Sequence, residues 1–246
     1  MENVTRIIPF RARGADTGSN GPKSRSIRLG KHSAGLYDLI IEQSDLLVDA
    51  MLALVGYMKD RDPRSAANLK AIWKRCAALR KYHLDMLACS PIHPAEFNRV
   101  SRISVTLDLA IDHARSIALE LLELSVPADQ FMLKMVENTL KLVRALNKAL
   151  YKLATNPVQI EEDIRAALYE KYLIEKTYRL ALATLGREHE ISGYTRPDIK
   201  QDQDPSTIHT LVERRMIYHS VFKSCKRLSW IISQIREITA RQHPMR

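Results

Sequence analysis

The sequence predicts an all-α fold of six long antiparallel helices, and three observations carry that expectation. Eight of the 10 prolines lie beyond the extreme N-terminus, at Pro63, Pro91, Pro94, Pro127, Pro157, Pro197, Pro205 and Pro244, and they separate long proline-free stretches. Proline costs about 3 kcal/mol in a helix interior but is tolerated in the first turn, so these positions mark helix starts and breaks. Within each stretch apolar residues recur at spacings of three and four, which puts them on one helical face. Only 8 glycines occur, and Gly14, Gly18, Gly21 and Gly30 fall in the first thirty positions. The remainder is poor in the residue that tight β-turns need.

Taken in order, residues 1–33 mix Gly, Ser, Asn, Pro and Arg without periodicity and read as a flexible basic arm. The first helix is expected over 36–59, with Leu36, Leu39, Ile40, Leu46, Leu47, Ala50, Leu54 and Val55 in one stripe. Asp62 then caps and Pro63 opens a second helix to about Cys89, carrying Leu69, Ile72, Trp73, Cys76, Leu79, His83 and Met86 inward. Ser90-Pro91-Ile92-His93-Pro94 is a break. The third helix runs over 95–124 with Val100, Ile103, Leu107, Ile111, Ala114, Ala118 and Leu121 inward. Pro127 opens the fourth, to about Ala154, with Met132, Val136, Leu140, Val143, Leu146 and Leu150 as its stripe. Asn156-Pro157 repeats the cap-then-proline signal and opens the fifth helix, to about Leu185. Residues 186–204 read as a polar loop, and Asp204-Pro205 opens the sixth helix, to about Arg241. Short connections make successive helices antiparallel neighbours. That suggests two three-helix bundles, 34–126 and 127–242, each with a core of its own.

Composition restricts function more than it assigns it. The chain carries a net charge of +10, and its first 32 residues hold seven basic and two acidic side chains. Nucleic acid, anionic lipid headgroups and an acidic protein surface all remain open as partners. Cys76, Cys89 and Cys225 are scattered, which disfavours a disulfide framework or a thiolate metal site and suits a cytoplasmic location. No apolar run approaches the ~20 residues of a membrane span. No Gly-rich phosphate loop, nucleophile elbow or His-x-x-x-His spacing is present, so no enzyme activity is expected. Basic residues on the second helix (Lys70, Lys74, Arg75, Arg80, Lys81) and the sixth (Arg214, Arg215, Lys223, Lys226, Arg227) are able to face phosphates. Binders of single-stranded nucleic acid usually add aromatic stacking, and aromatics make up only 6% here.

Three blocks carry a family resemblance. The first helix, from Leu36-Tyr37-Asp38-Leu39-Ile40-Ile41-Glu42-Gln43-Ser44-Asp45 to Ala50, is one. The second is Ser90-Pro91-Ile92 followed by Glu96 and then by Leu107, Asp108 and Asp112. The last is the closing helix with Cys225, Ile231, Ile232 and Ile235. Over residues 34–242 this pattern resembles the PhoU-like family of accessory proteins that accompany Pit-type inorganic phosphate transporters. The resemblance implies two three-helix bundles and a non-catalytic regulator that binds a membrane phosphate transporter. It also implies a place in the cytoplasm, peripheral at the inner membrane beside an anionic surface, and a homodimer is a further option for long bundles. The rival reading is a helical nucleic-acid-associated protein that binds phosphates through its arm and basic faces.

The family holds iron or zinc clusters through Glu/Asp-x-x-x-Asp pairs. Positions i and i+4 share a helix face about 5–6 Å apart at Cβ, and two such pairs on neighbouring helices surround a cation with hard oxygens. Asp108 and Asp112 match the family's pair on the third helix. Elsewhere the pattern is broken: the matching positions hold Lys70 and Lys74 on the second helix, Lys171 and Glu175 on the fifth, and His219 and Lys223 on the sixth. Two unit charges 4 Å apart interact by about 4 kcal/mol at an effective dielectric of 20, so lysines there would repel a divalent ion about twice as strongly. Two readings follow. Either Lys70 and Lys74 pair with Asp108 and Asp112 and replace the metal by an ionic lattice, with no cofactor, or both sets are solvated faces.

Overall fold

The computed structural model describes residues 31–88, 94–155, 159–194 and 205–242. The arm over 1–30, the break at 89–93, the cap at Asn156-Pro157 and the segment 195–204 lie outside them, as do the side chains of Leu36, His83 and Met86. Six helices make up the described chain: α1 (Lys31–Asp60), α2 (Pro63–Ala88), α3 (Pro94–Glu123), α4 (Gln130–Thr155), α5 (Ile160–Tyr194) and α6 (Pro205–Gln242). No strand occurs among the described residues, and the fold is an all-α helical bundle. None of its described helices is long and apolar enough to cross a membrane.

Three of the helix boundaries depart from the sequence reading. The first helix begins at Lys31, so residues 31–33, expected in the arm, are helical. The fifth helix does not stop near Leu185. It continues to Tyr194, because Gly186 stands alone with no second turn signal beside it, and an isolated glycine is tolerated inside a helix at a cost of about 1 kcal/mol. The fourth helix does not begin at Pro127. It begins at Gln130, where Asp129 Oδ1 accepts hydrogen bonds from the backbone N–H of Phe131 (2.8 Å) and Met132 (2.9 Å). These are two of the donors that a helix start leaves unpaired. At α2 the expected device is present: Asp62 Oδ1 accepts from Arg64 N at 2.9 Å and Pro63 is the first helical residue.

The reversals after α1 and α3 both open through a left-handed residue that is not glycine. Arg61 has φ 49 and Ser125 has φ 53. Arg61 N donates to Tyr57 O at 2.8 Å and closes the last turn of α1. The Arg61 guanidinium then reaches the Val126 carbonyl in the other reversal. One side chain thus ties the α1–α2 connection to the α3–α4 connection, 65 residues away.

Helix packing follows from how much of each circumference is apolar. α1, α2 and α3 pack against one another, and so do α4, α5 and α6. The trios meet along two seams, α1 on α4 and α3 on α6. α1 and α4 are therefore central and bury more than one stripe. On α1, Tyr37, Met51, Ala53, Tyr57 and Met58 are buried beside the expected residues, and on α4 so are Met135, Leu142, Ala145, Ala149 and Leu153. α2 and α5 lie at the edges and bury less. The buried apolar residues of both trios form one contiguous cluster. The second apolar faces of α1 and α4 pack on each other along their seam.

Candidate functional site

At the edge of the first trio's core, polar side chains from three helices meet, three of them buried and Arg80 half in solvent. α3 contributes Asp108, only 9% exposed. Its Oδ2 pairs with Arg80 Nη1 of α2 at 2.5 Å, and its Oδ1 accepts the Cys76 thiol at 3.4 Å. Cys76 and Arg80 are four residues apart, so the second helix brings both to the same face. α1 contributes Gln43 beside the thiol. Gln43 is fully buried; its carboxamide approaches the Cys76 thiol and favours the thiolate slightly, but neither amide atom reaches full hydrogen-bonding geometry with a described partner. Burial pushes the Cys76 thiol up to about 12, and the adjacent Asp108 carboxylate adds to this. The thiol stays protonated and is no nucleophile.

The acidic pair expected on the third helix is thus engaged by arginines. Asp108 holds Arg80, while half-buried Asp112 lies 3.7 Å from Arg115 one turn along. Arg115 in turn sits 4.6 Å above the Trp73 ring of α2, a cation–π contact. Lys70 and Lys74 take no part. Both are exposed, and among the described residues no ion pair joins either to Asp108 or Asp112. The reason is helical phase. With about 100° per residue, Lys74 stands roughly 160° around α2 from Cys76, whereas Arg80 stands about 40° from it. The cation that faces Asp108 had the right spacing from the buried Cys76 all along.

The matching positions of the second trio behave similarly. Lys171 and Glu175 pair with each other along α5 at 3.6 Å. Buried Cys225 on α6 has its thiol pushed up to about 12, by burial first and then by Glu175. His219 Nδ1 lies 3.4 Å from the Tyr178 hydroxyl. Among the described residues no three His, Cys, Asp or Glu side chains are grouped as metal ligands. With Asp108 and Asp112 each facing a guanidinium, the donor set does not fit the iron or zinc cluster that the resemblance implies.

Two further polar constellations lie beyond the pair that the sequence singled out. Asp129, besides capping α4, accepts through Oδ2 from the Tyr218 hydroxyl at 2.5 Å and from Arg214 Nε at 3.2 Å. Arg214 Nη1 also donates to Glu188 at 2.8 Å. Burial, followed by the Asp129 carboxylate, raises the Tyr218 hydroxyl well above the usual phenol range. Burial opposes the Arg214 charge, but Tyr218, Asp129 and Glu188 outweigh it and raise its proton affinity. One carboxylate thus starts α4 and holds α6 to it, and Glu188 of α5 joins the same group through Arg214. At the α1–α4 seam, Asn147 Nδ2 donates to Ser44 Oγ (2.8 Å) and to Asp45 Oδ1 (2.7 Å), and Tyr151 donates to Asp45 Oδ2 (2.8 Å). An Asp two residues past a proline and just ahead of an apolar run is a readable cap signal for Asp129. The partners across helices are not readable, because they depend on interhelical register.

These groups lock helices to one another. They offer no activated nucleophile, no acid–base pair facing a cleft and no assembled metal-ligand set. The family models and the curated proteins give no match to this chain.

Proposed function

We propose that this protein is a non-catalytic accessory protein of the PhoU-like kind, which docks by a helix face on a membrane inorganic phosphate transporter and modulates its flux. The observation that carries the reading is the packing of six helices as two mutually packed trios, the arrangement that the sequence resemblance implies. The polar groups support a scaffold reading. Each is spent on holding helices in register, and both buried thiols are held protonated. Binding energy in such a molecule resides on its outer faces. Docking on a Pit-type transporter is tested by co-purification and by phosphate uptake into proteoliposomes containing that transporter. Uptake changes when the protein is added on the cytoplasmic side. No association and no change in flux overturn the proposal.

A second reading has an observation of its own. Lys70, Lys74 and Lys81 are exposed in one row along α2, which suits a nucleic-acid backbone. In that case affinity falls with salt in proportion to the phosphates contacted. Filter binding at physiological salt decides it, and no retention of DNA or RNA removes it.

A further inference from the structure

We propose that the outer face of α5 is a lipid-contact surface, by which the protein lies on an anionic bilayer. Arg165, Tyr169, Tyr172, Lys176, Arg179 and Arg187 are all exposed. Their spacings of four, three, four, three and eight keep them in one row, about 33 Å long at 1.5 Å per residue. Tyr169 and Tyr172 are 60% and 58% exposed, among the most exposed large side chains described. They are not satisfying a core.

Charge complementarity names the occupant. Lys176, Arg179 and Arg187 take part in no ion pair among the described residues, and Arg165 has only Glu161 at 3.8 Å. The acids flanking the row are mostly spoken for: Glu161 also pairs with Arg236, and Glu188 is held by Arg214. Glu162 is exposed at the N-terminal end of the helix. The middle of the row is thus purely cationic and aromatic. A second copy of the same face would repel it.

Shape separates a bilayer from a nucleic-acid strand. α5 is an edge helix, packed only on α4 and α6 among the larger contacts, so it presents a convex cylinder. A cylinder meets a plane along one line, and a one-residue-wide row fills that line. A single strand tracks a groove instead, with bases stacked between side chains. Tyrosines belong at the headgroup level, where an apolar ring and a polar tip both find their solvent. Lys and Arg reach outward from the same depth. Since no described helix suits a membrane span, the contact is peripheral. This inference goes beyond the transporter proposal and does not depend on it.

The test is sedimentation of the full chain with vesicles of pure phosphatidylcholine, and of phosphatidylcholine mixed with phosphatidylglycerol, free of any transporter. It is run at about 0.1 M salt, where charges are screened beyond about 10 Å. The protein binds the mixed vesicles and not the neutral ones. Each basic residue near an anionic surface contributes about fivefold in binding, so the triple variant K176S/R179S/R187S binds about a hundredfold more weakly. The double variant Y169A/Y172A loses affinity with its salt dependence unchanged. These residues are exposed, and an unchanged helical circular dichroism spectrum confirms that the variants fold. Absence of binding by the natural chain overturns the inference, as does full binding by the triple variant, which would assign the effect to other basic segments. Tighter binding of oligouridylate RNA than of vesicles, lost in Y169A/Y172A, overturns it in favour of nucleic acid. Failure here leaves docking on a transporter untouched, because no transporter is in the vesicles.

Discussion

Gln43 and Asp129 show opposite fates of a polar residue in this bundle. Gln43 is fully buried with both amide atoms lacking a described partner, and leaving such a group unsatisfied costs about 1–3 kcal/mol. Met is unbranched and similar in length, so Gln43→Met raises stability by about 1–2 kcal/mol, measured by urea denaturation. Asp129 is fully engaged. Removing it as Asp129→Ala loses a cap and two charge-assisted bonds, and costs about 3 kcal/mol. Asp129→Asn keeps an acceptor for the Phe131 and Met132 amides and loses about half as much, which thermal denaturation of the pair resolves. The cap at Asp129 is legible in the sequence, as an Asp just ahead of an apolar run, whereas its partners on α6 are not, because they depend on interhelical register. The burial of Gln43 is not legible either, because a polar residue beside an apolar stripe reads as solvated. Of the two readings of the third-helix pair, the ionic lattice names Lys70 and Lys74, which are exposed, while Asp108 faces Arg80. Counting turns from the buried Cys76 leads to Arg80, and a match of position to a family pattern does not.

The helices themselves were nearly all legible, because each carries a period and a stop. The expected inward residues of the third and fourth helices are buried without exception. Asp62-Pro63 is a cap and a first-turn proline as read. The misreading at the end of α5 has a test of its own. Gly186 lies inside that helix, is exposed, and has open space where a Cβ would stand, with nothing within 4 Å. Gly186→Ala therefore stabilises the protein by about 1 kcal/mol. In a flexible loop the same change would do little. Gly56 differs: a Cβ there meets Ser65 Oγ at 3.3 Å, so this glycine lets α1 and α2 approach closely just before their reversal. What a single helix period could not show is that α1 and α4 are apolar on a second face. A stripe is read one face at a time, and only the partner helix reveals which of two faces is needed.

At the scale of the molecule, the continuous core couples the trios. Trp73 on α2 and Trp230 on α6 both pack against it. Single-tryptophan variants made with Trp→Phe at the other site report one coincident urea transition, since the shared α1–α4 core leaves neither trio a complete one. Two separated transitions would show independent units. The α3–α6 seam adds a dependence on pH. Burial, followed by Arg227 and Lys223 of α6, pushes His113 below its ordinary 6.5, while Asp112 pulls it up. Between the folded pKa and 6.5 the unfolded chain binds more protons than the folded one. His113 therefore contributes stability above 6.5 that is lost as pH falls through the folded pKa. His113→Gln makes stability vary less steeply with pH over that acid window, as read by denaturation at several pH values. The contact of Asn147 with Ser44 and Asp45 has a mechanical corollary. Slipping one inner helix along the other by a turn, about 5.4 Å, would break these bonds and the Tyr151–Asp45 bond together at a half-buried seam. Axial sliding of α1 on α4 is thereby opposed, and the central pair keeps its register as a spine for the four outer helices.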